Sequence, residues 1–467
     1  MAKQTLSLSI LKKISWPLIF IFCFTYWAFL ITHTTMPIQF DSIEYENTGR
    51  IIYQNGWLDF FRTGPHRELL YPSLIALAMA SAKSLSVNYQ LVLKIFQVAF
   101  LFSTQLLLIV VLKKINVRDS IIKTAVFYFG ISPATINAAF SVYYEIVAFP
   151  FVVIAVLLLG SLWSDIHQKK EYKPILGKAL LFGLCFSLLA YGREVFIYVY
   201  YFLVLPFCIS ALKSLFKRHK EIFYRHIILI ILSFALFFSA TSYIKLMNAR
   251  YNGNPVFCKT HWGILLGSAS KRSQPISYRI IASHIATIPG NGVCRWFFSE
   301  KECHYADWFG STEQDLPVSA VPKDHQEWQE ARWVLEKTLS HPFQYLFFSI
   351  VESLKMPFWE STQIGYVGYP ESITKFYNHP SVRFGLRLSL GLITITALLF
   401  LTFYLGRRQA KEPVLFFVWL TIMAYTFLYS LCYVVTRYAL PIAAMYMVCI
   451  AFSMEMIIRQ RRLKCIL

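Results

Sequence analysis

The sequence predicts an all-α polytopic membrane protein, and three observations predict it. The 467-residue chain is 56% hydrophobic and only 15% charged. Several of its apolar runs are long enough to cross a hydrocarbon core of about 30 Å as helices. Its Lys and Arg residues fall in short clusters between those runs, the pattern of cytoplasmic loops. The same clustering answers the nucleic-acid reading that a formal net charge of +20 invites. No basic stretch carries the interleaved aromatic platform on which bases would stack.

Residues 14–31 form the first run, after Lys3, Lys12 and Lys13. Thr32-His33-Thr34-Thr35 offers no small-residue cleavage site, so this run is expected to stay as a span with a cytoplasmic N-terminus. Residues 33–68 then lie outside. There Tyr45, Ile51, Ile52, Trp57, Phe60 and Phe61 are interleaved with polar residues, and Gly56, Gly64 and Pro65 act as breakers. One or two amphipathic surface helices are expected.

The next run, 69–84, is only 16 residues long, carries Pro72 and ends at Lys83. If it crossed, every later basic cluster would fall outside. Read as lying at the interface, it places Lys113/Lys114/Arg118, Lys169/Lys170/Lys173, Lys213/Lys217/Arg218/Lys220, Arg407/Arg408/Lys411 and Arg459/Arg461/Arg462/Lys464 all in the cytoplasm. Roughly ten spans follow: 14–31, 87–112, 121–140, 146–163, 175–191, 195–212, 226–246, 382–405, 414–431 and 438–457. Both termini are then cytoplasmic.

The chain divides accordingly. Residues 1–246 are a transmembrane module whose first external loop is 33–86. Residues 247–381 are one large extracytoplasmic region, and 382–467 hold the last helices and a basic tail. In the large region, Gly, Pro, Ser and Asn make 251–292 irregular. From Asp324, with Glu327 three residues on, Trp328, Ala331, Trp333, Val334, Leu335 and Leu339 recur at helical spacing. His341-Pro342 interrupts that pattern, and 343–359 reads as a second amphipathic helix broken by Glu352 and Lys355. Cys23, Cys185, Cys208, Cys432 and Cys449 lie in or beside apolar runs as packing residues. Cys294 and Cys303 suit a local disulfide in an oxidising compartment. Cys258, His261, Cys303 and His304 match no zinc-site spacing. Disulfide or free thiols are therefore the expectation, and no metal.

This topology brings polar residues from separate loops to one membrane face. They are Asp41 and Glu44, then Arg67, Glu68 and Tyr71, then Tyr143, Tyr144 and Glu145, then Arg193 and Glu194, then Arg437 and Tyr438. Asp41 and Glu44 share a face if their segment is helical. Singly, each residue has an ordinary explanation: solvated helix charges, a local Arg193–Glu194 pair, a snorkelling Arg437. Together they suggest chemistry. An external carboxylate can act as general base on a hydroxyl or amine. Arginines at a membrane boundary can grip a lipid phosphate through bidentate contacts. That combination fits sugar transfer from a polyprenyl-phosphate sugar.

The chain resembles the GT-C glycosyltransferases, in the group that includes protein O-mannosyltransferases and lipid A aminoarabinose transferases. The resembling pieces run in order over most of its length. They are Asp41-x-x-Glu44-Tyr45 with Gly56, the run RELLYPSLIAL from Arg67 to Leu77, Ser132-Pro133 followed by Glu145, Gly192-Arg193-Glu194, His341-Pro342-Phe343-Gln344-Tyr345-Leu346, and Arg437-Tyr438-x-Leu440-Pro441. The resemblance implies a GT-C-like bundle in a bacterial inner or plasma membrane, with an extracytoplasmic active site and inversion at the sugar. It implies an undecaprenyl- or dolichyl-phosphate sugar donor, a lipid, glycan or protein acceptor, and no cofactor. Asp41 matches the first-loop catalytic acid. Many relatives carry two adjacent acids there, whereas Ser42-Ile43 separates Asp41 from Glu44, so either can be the base; Asp41 is favoured. Glu145 would position donor or acceptor. Arg193 and Arg437 would hold the donor phosphate, with Arg67, Tyr71 and Tyr438 beside them. A transporter or flippase would instead predict broken helices, midplane polar residues and repeated halves. A polyprenyl-linked glycan polymerase or ligase of another fold would use external arginines without an acid after the first span.

Overall fold

The structure is a computed structural model and describes residues 15–64, 67–168, 171–258, 268–269, 272–273, 277–307, 327–362, 366–408, 412–432 and 434–464. The expected helix start at Asp324 and Lys3, Lys12 and Lys13 lie outside the described residues, as do His261, Lys169, Lys170 and Lys411. Among the described residues the chain is helical throughout, apart from one isolated antiparallel bridge between Thr35 and Gly368.

In chain order the helices of the first half are α1 (Trp16–His33), α2 (Asp41–Asn55), α3 (Trp57–Thr63), α4 (Leu70–Leu85), α5 (Tyr89–Lys114), α6 (Asp119–Ile131), α7 (Pro133–Ala139), α8 (Glu145–His167), α9 (Tyr172–Gly192), α10 (Val195–Phe216) and α11 (Lys220–Asn252). The large polar region contributes α12 (Tyr278–Ala286), α13 (Asn291–Cys294), α14 (Glu300–Asp307), α15 (Glu327–Ser340), α16 (Pro342–Lys355) and α17 (Glu371–Asn378). Then come α18 (Pro380–Arg408), α19 (Pro413–Ser430), a 3-10 turn (Thr436–Ile442) and α20 (Ala443–Lys464). Nine of the described segments are long and apolar enough to cross a bilayer: α1, α5, α8 to α11, α18, α19 and Thr436–Gln460. The protein is therefore an integral, multi-pass membrane protein. α8 is the most enclosed of the eight α-helices among them and packs against α5, α9 and α19.

Contacts between distant residues fix the two ends of the bundle. At one end the Arg118 guanidinium donates to Glu455 (3.0 Å), Arg459 pairs with the same carboxylate, and Trp16 donates to Asp119 (3.2 Å). The basic ends of α5 and α20 thus meet the start of α1. At the other end Lys94, in the second turn of α5, donates to the carbonyl of Ile31 (3.1 Å) at the end of α1. Gln90 donates to Met36 O (3.0 Å).

Helix α4 has both ends at this second end. Arg67 just before it pairs with Asp41, and Gln90 just after it bonds Met36. With 16 residues it spans about 24 Å, too short to cross. Gly49 of α2 lets it lie close: a Cβ there would meet Ile75 Cγ2 at 2.7 Å and Pro72 O at 3.0 Å. Residues 33–68, where one or two helices were expected, hold the two helices α2 and α3, and the 69–84 run forms the separate short helix α4.

One span differs from expectation. The single helix expected over 121–140 is broken into α6 and α7 at Ser132, whose ψ of 130° leaves the helical region. Pro133 lacks an N–H and disfavours a helical residue before it. Glu360, from the far part of the chain, fills the break. It accepts from Tyr128 OH (2.6 Å), Ser132 OH (2.5 Å) and the Ala134 N–H (2.9 Å). The two pieces together still carry the chain from the Asp119 end to the Glu145 end.

Helix α11 is 33 residues long, about 50 Å, and outreaches the hydrocarbon core. Its last turn reaches α3, where Asn252 donates to Phe61 O (2.9 Å). In the polar region, α16 begins at Pro342 and turns Tyr345, Phe348 and Val351 inward. Tyr345 OH donates to Leu431 O (2.7 Å), and the buried Arg272 donates to Ser349 (2.9 Å) and Ser430 O (2.9 Å). Cys294 and Cys303 form a disulfide, which resolves the open choice between disulfide and free thiols. Among the described residues no cluster of His, Cys, Asp or Glu could hold a metal ion.

Candidate functional site

The residues singled out from separate loops converge at the Glu145 end of the bundle. Asp41 is the first residue of α2 and is 28% exposed. Arg67 donates to its Oδ1 at 2.7 Å, and Arg437 pairs with its Oδ2. Arg67 also pairs with Glu44, one turn along α2 and more exposed at 54%. The two acids do share one face, and Arg67 bridges them. Burial works to raise the Asp41 carboxyl, but the Arg437 and Arg67 guanidiniums outweigh it, with Arg193 adding to them. The carboxyl is held below its usual range.

A second layer lies beneath. Glu145, the first residue of α8, is almost fully buried and accepts from Arg193 at 3.0 Å. Arg193 also donates to Tyr429 OH (2.7 Å), and its guanidinium lies 4.7 Å over the Tyr438 ring. Arg437 lies 4.7 Å over Tyr143 and 5.6 Å from Tyr438. Tyr438 thus serves as a shared floor for both guanidiniums, a geometry that suits arginine and not lysine. The turn that carries Arg193 is set by Gly192, which packs directly on the Tyr144 ring; no side chain would fit there. Arg193, for which the sequence suggested a local pair with Glu194, turns to Glu145.

Tyr71 is fully buried and does not line an opening. It accepts from Gln97 (2.9 Å) and lies edge-on to Tyr45, over which Arg67 sits at 5.2 Å. Its place is support for the Arg67 layer. Three further features complete the site. Glu68 sits next to Arg67 in the chain, and burial pushes its carboxyl up while Arg193 draws it down. Phe40 precedes Asp41 with φ 52°, a rare conformation for a bulky residue, and stacks its exposed ring on Tyr366 at 5.1 Å. Tyr366 in turn faces Tyr143 at 5.9 Å, giving Asp41 an aromatic rim. Aromatic residues in a polar loop carried the only sequence signal for that rim.

The arrangement is a carboxylate held by two guanidiniums, with a third guanidinium held by a buried acid below. It can exchange one anion for another at Arg67 and Arg437, and it can accept a proton at Asp41 once those arginines turn away. A cavity of about 600 Å³ lined by Trp163, Lys213, Thr402 and Trp419 lies at the opposite end of the bundle and is separate from this cluster. Comparison with protein-family models, with curated proteins and with solved structures found no match.

Proposed function

We propose that this chain is a glycosyltransferase of the GT-C type. It moves a sugar from a polyprenyl-phosphate donor to a lipid, glycan or protein acceptor at the extracytoplasmic face, with Asp41 as general base. The observation that carries this reading is the Asp41–Arg67–Arg437 cluster, assembled from three parts of the chain at one end of the bundle. The ordered resemblance described above supports it.

In the resting enzyme Asp41 acts as the stand-in anion for the donor phosphate. Paired with two arginines it is a weak base. When a lipid phosphate enters, Arg437 and Arg67 turn from the carboxylate to the phosphate oxygens, which suit bidentate contacts. Asp41 loses two positive neighbours, and its affinity for a proton rises. The acceptor O–H or N–H gives its proton to Asp41 as its oxygen or nitrogen bonds to the anomeric carbon. The bond from that carbon to the phosphate oxygen breaks, and the polyprenyl phosphate leaves with the electron pair. Arginine neutralises the charge that develops on it. Glu145 keeps Arg193 in place, and the Tyr438 ring orients the guanidiniums of Arg193 and Arg437.

A transporter reading draws on two observations, the break at Ser132 and the buried Lys94, Gln97 and Gln105 of α5. Those donors are engaged with the fold: Lys94 with Ile31 O, Gln97 with Ser141 O and Gln105 with Val126 O (2.9 Å each for the glutamines). Binding to the purified chain tests the donor reading. Undecaprenyl phosphate should be retained in native mass spectra and undecaprenol lost, and Arg437→Gln should remove the difference. Equal retention of the two lipids by the unaltered chain would overturn the reading.

A further inference from the structure

The cavity at the end of the bundle opposite Asp41 lies between two helices that share a neighbour. α19 packs on both α10 and α18, and the cavity is the space left between those two. Gly406, in the last turn of α18, lines it, and a Cβ there would meet no atom within 4 Å. At about 600 Å³ the space falls within the about 300–1,000 Å³ of ligand pockets.

Its walls are apolar. Trp163, Pro206, Ile209 and Leu405 supply most of them. Thr402 Oγ1 donates to Leu398 O (2.8 Å) and accepts from Trp419 Nε1 (3.0 Å), so the fold satisfies these polar atoms itself. Trp163 lies in the last two turns of α8 and Trp419 in the first two turns of α19. Helix ends of this kind are where Trp marks the boundary of a bilayer.

Lys213 gives the cavity its sign. It is the only charged residue among the described ones that line the space. It stands in the last turn of α10, on the same face as Ile209 one turn earlier. Its side chain is exposed, and no carboxylate among the described residues pairs with it. The stem can lie along the apolar wall while the ammonium reaches the boundary. Arg407, next to Gly406 in the chain, is a second exposed cation at this end.

We infer that this cavity takes one acyl chain of an anionic phospholipid, whose headgroup pairs with Lys213. A cation at the mouth of an apolar slot selects a molecule with an anionic head and an apolar tail. A soluble anion would leave the walls uncovered. The inference stands independently of the glycosyltransferase reading. It uses no residue of the Asp41 cluster, and α8 carries Glu145 at one end and Trp163 near the other.

Native mass spectrometry of the purified full chain tests it, with dioleoyl phosphatidylglycerol and dioleoyl phosphatidylcholine at equal concentration as probes. Phosphatidylglycerol should be retained over phosphatidylcholine. Lys213→Gln should weaken that retention about fivefold, the scale of one basic residue against an anionic lipid, while Lys213→Arg keeps it. Gly406→Trp fills the space and should lower phosphatidylglycerol retention about tenfold or more, the scale of an apolar group denied burial. Gly177 of α9 is equally open but does not line the cavity, so Gly177→Trp should bind as the unaltered chain does. Melting temperature gives a second readout. Phosphatidylglycerol should raise it for the unaltered chain and Gly177→Trp and leave it unmoved for Gly406→Trp. Equal retention of the two lipids by the unaltered chain would overturn the inference, as would equal phosphatidylglycerol retention by the unaltered chain and Gly406→Trp. Loss of phosphatidylglycerol in Arg437→Gln would place the lipid at the Asp41 cluster instead. A dimer peak that Gly406→Trp abolishes would give the cavity to a second copy of the chain, and either result would also overturn it.

Discussion

Asp41 and Arg437 lie 396 positions apart in the sequence and form an ion pair at one end of the helical bundle. Arg67 closes the same carboxylate from the other side at 2.7 Å. The start of α2, the segment before α4 and the turn before α20 are therefore tied at one point.

The pair sets a pH dependence. The folded carboxyl of Asp41 sits below its ordinary value because Arg437 and Arg67 outweigh the effect of burial. For a depressed acid, the stabilisation is complete above the unfolded value of about 3.9 and is lost as pH falls through the folded value. The melting-temperature difference between the unaltered chain and Asp41→Asn in detergent should be constant from about pH 8 to pH 5. It should shrink below about pH 4. A difference that changes across neutral pH would assign the stabilisation to another group.

The buried layer should be costlier to break than the exposed one. Glu145 is 2% exposed and Arg193 14%. Removing one partner of a buried pair leaves an uncompensated charge and costs about 3–5 kcal/mol. Glu145→Gln should lower the melting temperature more than Glu44→Gln, whose carboxylate is 54% exposed. The double variant Glu145→Gln, Arg193→Gln should recover part of the loss. Additive losses in the double variant would show that the two side chains do not act as a pair.

Glu360 should hold the broken helix. It accepts three hydrogen bonds from residues flanking the Ser132 break. Glu360→Ala should cost about 3 kcal/mol or more, since hydrogen bonds to a charged group are worth about 1.5–3 kcal/mol each. Hydrogen exchange should rise together in 128–139 and 356–362. Exchange that rises in only one of these segments would mean that the contact does not join them.

Much of this was legible in the sequence because hydrophobic length and charge are additive along a chain. The runs now in α1, α5, α8 to α11, α18 and α19 could be read from composition alone. The charges around 69–84 set it apart from the spans, and its helix α4 has only 16 residues. The break at Ser132 was not read, although Pro133 was in view, because an apolar run on both sides outweighs one proline in a length count. Glu360 was invisible for a different reason: its partners lie more than 200 positions away, and nothing local marks a carboxylate as a helix cap. Asp41, Glu44, Arg67, Glu145, Arg193, Arg437 and Tyr438 were singled out as members of one face. Their division into an upper pair of arginines on Asp41 and a lower one on Glu145 needed three dimensions. Tyr71 was assigned to substrate, but a ring that size at 1% exposure is support.

The central claim is that Asp41 is the base of a sugar transfer. Mass spectrometry of surface glycolipids and glycoproteins tests it, in cells with the unaltered chain, with Asp41→Asn, and without the chain. General-base catalysis contributes about 100- to 10,000-fold. One glycolipid or glycoprotein should carry a sugar that is present with the unaltered chain. That sugar should be missing both without the chain and with Asp41→Asn, although the variant inserts normally in the membrane. A full complement of that sugar with Asp41→Asn would contradict the role given to Asp41, and identical glycans with and without the chain would contradict sugar transfer itself.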